Sequence, residues 1–293
     1  MATAPTTKDV LYIGIDGGGS KCRASIYSAA DELLGTGVGG PANPLHGVER
    51  TLESMQTATE LALADAGLPS SLKSELIAGI GLAGVNLPSL FQIINQWRHP
   101  FARMHLTTDL HIACLGAHKK NEGAVLVAGT GSCGYAWKDG QSLVLGAHGF
   151  PFGDQCSGAW MGLEAIKAVL LASDGLGPDT GMRERMEDML QAKGVMIVDK
   201  MAGATSREYA RFAILVLDAA EADDPVARRI LQEGADYLSA VANRLWNTGV
   251  SRMSFIGGLS QRLIPWLDES VARRLSEPLA PPEYGAVFFA REQ

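Results

Sequence analysis

Twice in this chain a short apolar run stops in a cluster of glycines and resumes as alternating small and apolar residues. Residues 10–15 run into Asp16-Gly17-Gly18-Gly19-Ser20 and continue as 22–28. Residues 123–128 run into Gly129-Thr130-Gly131-Ser132 and continue as 133–137. Each second segment passes through a short turn, Asp31-Glu32 or Lys138-Asp139-Gly140, into a third strand-like segment, 33–38 or 142–145. Three strands joined by short turns form an antiparallel meander. Two such meanders predict an α/β chain of two units with like topology, each a mixed sheet flanked by helices. Residue identity between the copies is slight, so the repeat is one of pattern.

The segments between and after the meanders supply the helices. Residues 48–66 place Leu52, Met55, Leu61 and Leu63 at helical spacing and end at Gly67 and Pro69. A strand over 76–82, a helix over 88–97, a strand over 104–107 and a helix starting near His111 complete the first half. Helical stretches at 158–171, 183–192, 206–220 and 225–245 follow the second meander, then a strand at 252–256 and a last helix at 284–291. At about 150 residues per domain, 293 residues suggest two domains. We place them at 1–120 and 121–293, with the active site in a cleft between them and the last helix returning to the first.

Composition narrows the function classes. The chain carries 25 Lys and Arg against 32 Asp and Glu, a net charge of −7, with no basic block. That is not the electrostatic footprint of a nucleic-acid binder or of an anionic-membrane binder. The most apolar stretch, 212–217, ends at Asp218, short of the roughly 20 residues a spanning helix needs. Residues 1–9 hold no apolar signal-peptide core. Cys22, Cys114, Cys133 and Cys156 form no Cys-x-x-Cys pair, which argues against a metal knuckle or disulfide scaffold and fits a reducing cytoplasm.

The glycine turns carry the chemistry. Residues 14–21 match neither the dinucleotide fingerprint nor a P-loop, because Ser20 precedes Lys21 instead of following it. Asp16 beside the turn would repel a bare phosphate, so its presence suits a loop that meets phosphate together with hydrated Mg²⁺. Glycines let backbone N–H groups face an anion, and Ser20, Thr130 and Ser132 add hydroxyls. The competing reading is an ordinary hairpin with Asp and Gly as turn formers. A third turn, Ile256-Gly257-Gly258-Leu259, reads equally as tight strand-to-helix packing or as nucleotide contact. Asp109, after a strand and before a helix, reads on spacing alone as an N-cap or as a carboxylate held for chemistry, and Asp154 has the same two readings.

Four motifs in order carry a resemblance: Asp16-Gly17-Gly18-Gly19-Ser20-Lys21, Thr107-Thr108-Asp109, Ala128-Gly129-Thr130-Gly131-Ser132, and the run from Gly149 to Trp160. Together they resemble the N-acetylglucosamine kinase branch of the BadF/BadG/BcrA/BcrD ATPase family, within the actin/hexokinase/Hsp70 superfamily, and the similarity runs from Ile13 to the Gly285-Ala286 helix. The resemblance implies two ribonuclease H-like (actin-like ATPase) domains and transfer of phosphate from ATP, with Mg²⁺, to the 6-hydroxyl of N-acetylglucosamine. Glucosamine is the near alternative. Asp16, Gly17, Gly18, Gly19 and Ser20 would form the first phosphate loop, with Asp16 holding Mg²⁺ through water. Thr130, Gly131 and Ser132 would form the second loop, and Ala210, Gly257 and Gly258 would border the adenosine. Asn43, Gly149 and Asp154 would hold the sugar, and Asp109 would be the catalytic base.

Departures from relatives gather round the sugar positions: Leu45 and His148 where they carry Trp, Ala83 for Ser, and Gln155-Cys156 for Glu-Gly. A second branch of the family, the activator ATPases of 2-hydroxyacyl-CoA dehydratases, holds an iron–sulfur cluster between subunits through cysteines, an arrangement these four cysteines do not resemble. The expected partners are the amino sugar and ATP, with neither nucleic acid nor membrane, in a cytoplasmic homodimer. The six histidines show no zinc-ligand spacing. His111 reads as a core or surface histidine, and Cys133 and Cys156 as small buried residues.

Overall fold

A computed structural model describes residues 10–293. The reading of residues 1–9 lies outside the described residues. The chain divides into two compact units, one reaching to Gly123 and taking in Pro278–Gln293, the other Ala124–Glu277.

The first unit is built on strands β1 (Tyr12–Gly17), β2 (Cys22–Tyr27), β3 (Leu33–Gly39), β4 (Ile77–Leu82) and β5 (Arg103–Thr108), in the order β3-β2-β1-β4-β5. The first three form the antiparallel meander, and β1, β4 and β5 run parallel. Its helices are α1 (Val48–Asp65), α2 (Pro88–Asn95) and α3 (Asp109–His118). β4 is buried at every position, as a central parallel strand covered on both faces must be. Ile13, Ile15, Ile26, Ile80 and Leu82 meet Met55, Ala58 and Leu63 of α1 in one core.

The second unit repeats the order with β6 (Gly123–Ala128), β7 (Ser132–Lys138), β8 (Gln141–Gly146) and β9 (Met253–Ile256), arranged β8-β7-β6-β9 with β6 and β9 parallel. Its sheet packs with α4 (Gly158–Ser173), α5 (Met182–Leu190), α6 (Val195–Met201), α7 (Ser206–Ala210), α8 (Ala213–Glu221) and α9 (Pro225–Trp246). Short α10 (Ser260–Leu263) and α11 (Glu269–Ala272) follow β9. Met182 and Met186 lie in this core while Met189 is exposed.

One sequence expectation needs correction here, and one helix was not foreseen. The single helix over 206–220 is two, α7 and α8, because Thr205 and Glu208 close a capping box on a five-residue helix and the chain turns at Arg211-Phe212. Residues 195–201, whose Val and Ile give no helical signal, form α6 because Ile197 and Met201 are buried.

The last helix, α12 (Pro282–Arg291), belongs to the first unit and packs on α3 and β1. It approaches so closely that a Cβ on Gly14 would stand 1.8 Å from the Glu283 carbonyl oxygen, and one on Gly79 1.8 Å from that of Ala286. Gly14 and Gly79 are paired across β1 and β4, so together they form the seat of the helix. Among the described residues no helix is long and apolar enough to cross a membrane.

Candidate functional site

In the first unit the residues expected to be functional gather at the C-terminal ends of β1, β4 and β5. Register places Asp16, Gly81 and Thr107 side by side across the three strands, with Asp109 two residues beyond Thr107. The glycine turn closes the β1–β2 hairpin through a bond from the Gly18 N–H to the Lys21 carbonyl, 3.0 Å, in which the Gly19 and Ser20 N–H groups take no part. The glycines differ in what surrounds them. A Cβ on Gly17 would strike Leu82 and Ala42, whereas Gly18 and Gly19 face open space. Gly17 is thus a packing residue, and its two neighbours leave room for a ligand to reach the backbone.

The turn is tied to the residues expected at the sugar. Ala42 donates its N–H to the Gly18 carbonyl, 2.9 Å, and Ala83 donates to Gly17, 2.8 Å. Asn43 follows Ala42. Its side-chain oxygen accepts the Leu45 N–H at 3.0 Å and lies where a Cβ on Gly84 would fall. That bond commits the carbonyl and leaves the amide N–H groups to donate. Leu45 itself is 58% exposed.

Asp109 is not the cap of α3. Thr108 is, accepting the His111 N–H on its hydroxyl at 3.2 Å. Asp109 is the first helical residue, and one carboxylate oxygen accepts the Leu110 N–H at 2.9 Å. Burial pushes its carboxyl above the ordinary range, against those backbone bonds. Asp16 is raised to about 7, first by burial and then by the charges of Glu283 and Asp109, with Arg23 and Lys21 opposing. Both acids keep some accessible surface, as a ligand site must, while most of their surroundings are protein. His111 is a core histidine: its Nδ1 lies 3.0 Å from the Thr107 hydroxyl, its ring meets the edge of Phe289, and burial lowers its pKa to about 4.

In the second unit the loop after β6 is braced by α4. Gly158 and Ala159 donate to the carbonyls of Gly129 and Thr130 at 2.8 and 3.2 Å, and Ser157 caps the helix. The capping reading of Asp154 therefore fails. Its carboxylate instead lies against Gly131, where the backbone N–H groups of Ser132, Gly149 and Phe150 act to lower its pKa. Burial outweighs them and raises it. Asp154 has a φ of 62°, a left-handed backbone in a non-glycine residue.

Ser132 is used internally: its hydroxyl donates to the Gln155 carbonyl at 2.5 Å. Ala210 sits against Gly158, and Gly257 against the carbonyl of Ala128, so both border the same loop. Each unit thus brings together the residues expected of it. Missed from sequence is Glu283, whose only signal was an acid in the first turn of a helix, a common dipole complement.

The sequence profile of the BadF/BadG/BcrA/BcrD ATPase family matches residues 13–290. The glucosamine kinase GspK of Vibrio cholerae is 36% identical over 279 residues, 95% of this chain and 95% of its own. The N-acetylmuramic acid/N-acetylglucosamine kinase of Clostridium acetobutylicum is 32% identical over 234 residues, 77% of this chain and 76% of that protein. A solved Chromobacterium violaceum structure, provisionally named an N-acetylglucosamine kinase, matches with a TM-score of 0.90 at 31% identity, covering 96% of this chain and 98% of that one.

Proposed function

The chain belongs to the BadF/BadG/BcrA/BcrD ATPase family, and from that premise we propose that it is an ATP-dependent amino-sugar kinase acting on the 6-hydroxyl of N-acetylglucosamine. The observation that carries this is Asp109: a carboxylate at the start of α3, relieved of capping by Thr108 and raised in basicity by burial. Phosphoryl transfer to a sugar hydroxyl needs positioning, charge neutralisation and a group to accept the hydroxyl proton. Asp109 takes that proton as the hydroxyl oxygen bonds to the γ-phosphorus, and the bond to the β–γ bridging oxygen breaks to release ADP. Its raised pKa makes it a better proton acceptor but requires a pH at which it is ionised, so turnover falls on the acid side.

Gly19 and Ser20 present backbone donors to phosphate while the Gly18 N–H holds the turn closed. Thr130 and Gly131 present theirs in the second loop, with Ser132 bracing it. Asn43 and Asp154 pair with sugar hydroxyls, Gly149 fixes Asp154 through its N–H, and Ala210, Gly257 and Gly258 flank the adenosine. The donor set at Asp16 suits Mg²⁺. It is a hard carboxylate oxygen in a place made negative by neighbouring acids, and among the described residues no group of three metal-ligating side chains competes as a closed cage. Asp16 would hold Mg²⁺, and the ion when bound would supply neutralisation of the charge on the transferring phosphate.

The activator branch fits less well. Cys22, Cys114, Cys133 and Cys156 are all buried, two in each unit, where they present no thiolate to a partner subunit. The acceptor has a second reading, glucosamine, favoured by the name of the Vibrio cholerae relative and by the exposed Leu45 at the sugar side. ADP release measured on N-acetylglucosamine, glucosamine, N-acetylmannosamine and glucose tests both. A preference for N-acetylglucosamine in kcat/KM supports the first reading, a preference for glucosamine replaces it with the second, and no release with any of them rejects the proposal.

A further inference from the structure

One buried carboxylate of the first unit has no part in the reaction as described. Glu283, in the first turn of α12, is 3% exposed, and its Oε2 atom has no hydrogen-bond partner. Burying an acid with an unsatisfied oxygen is unfavourable, and nearly all buried polar atoms in folded proteins find a partner. A group kept in that condition points to a charge that it meets at another stage.

Its place is fixed by the backbone. The Glu283 carbonyl lies on Gly14, and Gly14 shares a face of β1 with Asp16 because side chains alternate along a strand. Among the neighbouring charges Glu283 has the largest influence on Asp16, ahead of Asp109. The opposing bases, Lys21 and Arg23, are exposed, so water and salt screen them, whereas Glu283 is out of reach of both. The end of β1 therefore carries an excess of poorly screened negative charge.

We propose that Glu283 is a positioning residue for the divalent cation that accompanies the nucleotide: its buried carboxylate stands behind Asp16 and strengthens cation binding there without touching the phosphates. This rests on the kinase reading above, in which Asp16 meets the cation. A carboxylate placed at this depth behind Asp16 favours a divalent ion over a metal-free nucleotide. It has no direct reason to alter sugar affinity.

The test is Mn²⁺ binding to the full chain with ADP present, followed by paramagnetic resonance, beside sugar and metal-free ADP affinities by calorimetry and a thermal melt. Glu283→Gln should weaken Mn²⁺ about tenfold, and Glu283→Asp, which keeps the charge, should stay within about threefold of wild type. Neither should move the sugar or metal-free ADP affinities. Should the Gln variant fail to fold, Glu283→Leu removes the charge together with the unsatisfied oxygen and should show the same loss of Mn²⁺. Wild-type Mn²⁺ affinity in a folded charge-removing variant overturns the proposal while leaving Asp16 in place. So do equal losses of Mn²⁺ and sugar, or an Asp variant as weak as the Gln one, since both describe packing rather than charge. Asp16→Asn separates the two levels: unchanged Mn²⁺ binding there removes the cation from Asp16, and with it both the metal assignment and the role of Glu283.

Discussion

The two sheets share a strand order, β3-β2-β1-β4 and β8-β7-β6-β9, yet their first strands end differently. β1 ends Asp16-Gly17, and Asp16 feels the charges of two more acids, Asp109 and Glu283. β6 ends Val127-Ala128 and leads into a turn whose carbonyls are held by α4 and whose Ser132 N–H acts to lower the pKa of Asp154. Two copies of one ribonuclease H-like scaffold thus hold different electrostatics: the first concentrates carboxylates, the second presents hydroxyls and amides. The same backbone device, a glycine turn after a buried strand, stands beside a cluster of acids in one unit and beside hydroxyls braced by a helix in the other. Residue chemistry at the strand end decides which, and topology does not.

The hardest blow to this division would come from Asp109. Asp109→Asn keeps the shape and removes the proton acceptor, so turnover should fall at least about a hundredfold, the range of general-base contributions. Thr108 keeps capping α3, so the melting temperature should change little. A folded variant retaining more than about a tenth of wild-type turnover would take Asp109 out of the mechanism.

The next largest effect is on folding. Gly14→Ala puts a methyl 1.8 Å from the Glu283 carbonyl, so α12 must lift from β1. We expect about 1–3 kcal/mol of destabilisation, the usual range for overpacking, in denaturant melts. Gly129 of the second unit has nothing within 4 Å of a new Cβ, and Gly129→Ala should leave stability nearly unchanged. Similar melts for the two variants would show that the seat of α12 yields, and that Glu283 is less firmly placed than the packing indicates.

How much of this was legible in sequence depends on the range of the contact involved. The strands and both glycine turns are local patterns, and they fall where periodicity put them. Asp16 stood out because a carboxylate beside a phosphate-type turn is chemically odd, and Asp109 because it stands between a strand and a helix in one of the four motifs that carry the resemblance. What sequence left open needed the structure: whether Asp109 and Asp154 cap a helix, settled by Thr108 and Ser157, and which glycines pack and which stay open, settled by distant contacts. Glu283 illustrates the limit. In Pro281-Pro282-Glu283-Tyr284 it is an ordinary first-turn acid, and only the return of α12 to β1 buries it beside Asp16. Likewise 195–201 has no helical pattern of its own and folds on the burial of Ile197.

Asp16 offers a pH test of the crowded end. Its folded pKa, about 7, lies above the 3.8 of an ordinary carboxyl, so the folded state binds the proton more tightly than the unfolded state. The stability tied to that proton is complete below about pH 4 and is lost as pH rises through 7. Asp16→Asn should therefore be more stable than wild type at pH 8, by roughly 1–3 kcal/mol given the partial exposure of the group, and the gap should close towards pH 4. A gap independent of pH between 5 and 8 would mean that Asp16 is not held as an acid in a negative surrounding.

The smallest effect concerns Gly257-Gly258, which the sequence left divided between packing and ligand contact. The structure separates the two residues. Gly257, at a φ of 104°, would place a Cβ 2.2 Å from the Ala128 carbonyl, so glycine there is demanded by the fold. Gly258 has nothing within 4 Å, so the described fold makes no such demand of it. If nucleotide passes over it, Gly258→Ala should leave stability within about 0.5 kcal/mol. The added methyl should raise the KM for ATP roughly fivefold, the equivalent of about 1 kcal/mol. The KM for the sugar should stay where it was, because the effect lies on the amide-rich side of the division. An unchanged KM for ATP would assign this turn wholly to Gly257 and to packing, and leave the loop after β6 with Ala210 as the nucleotide contacts of the second unit.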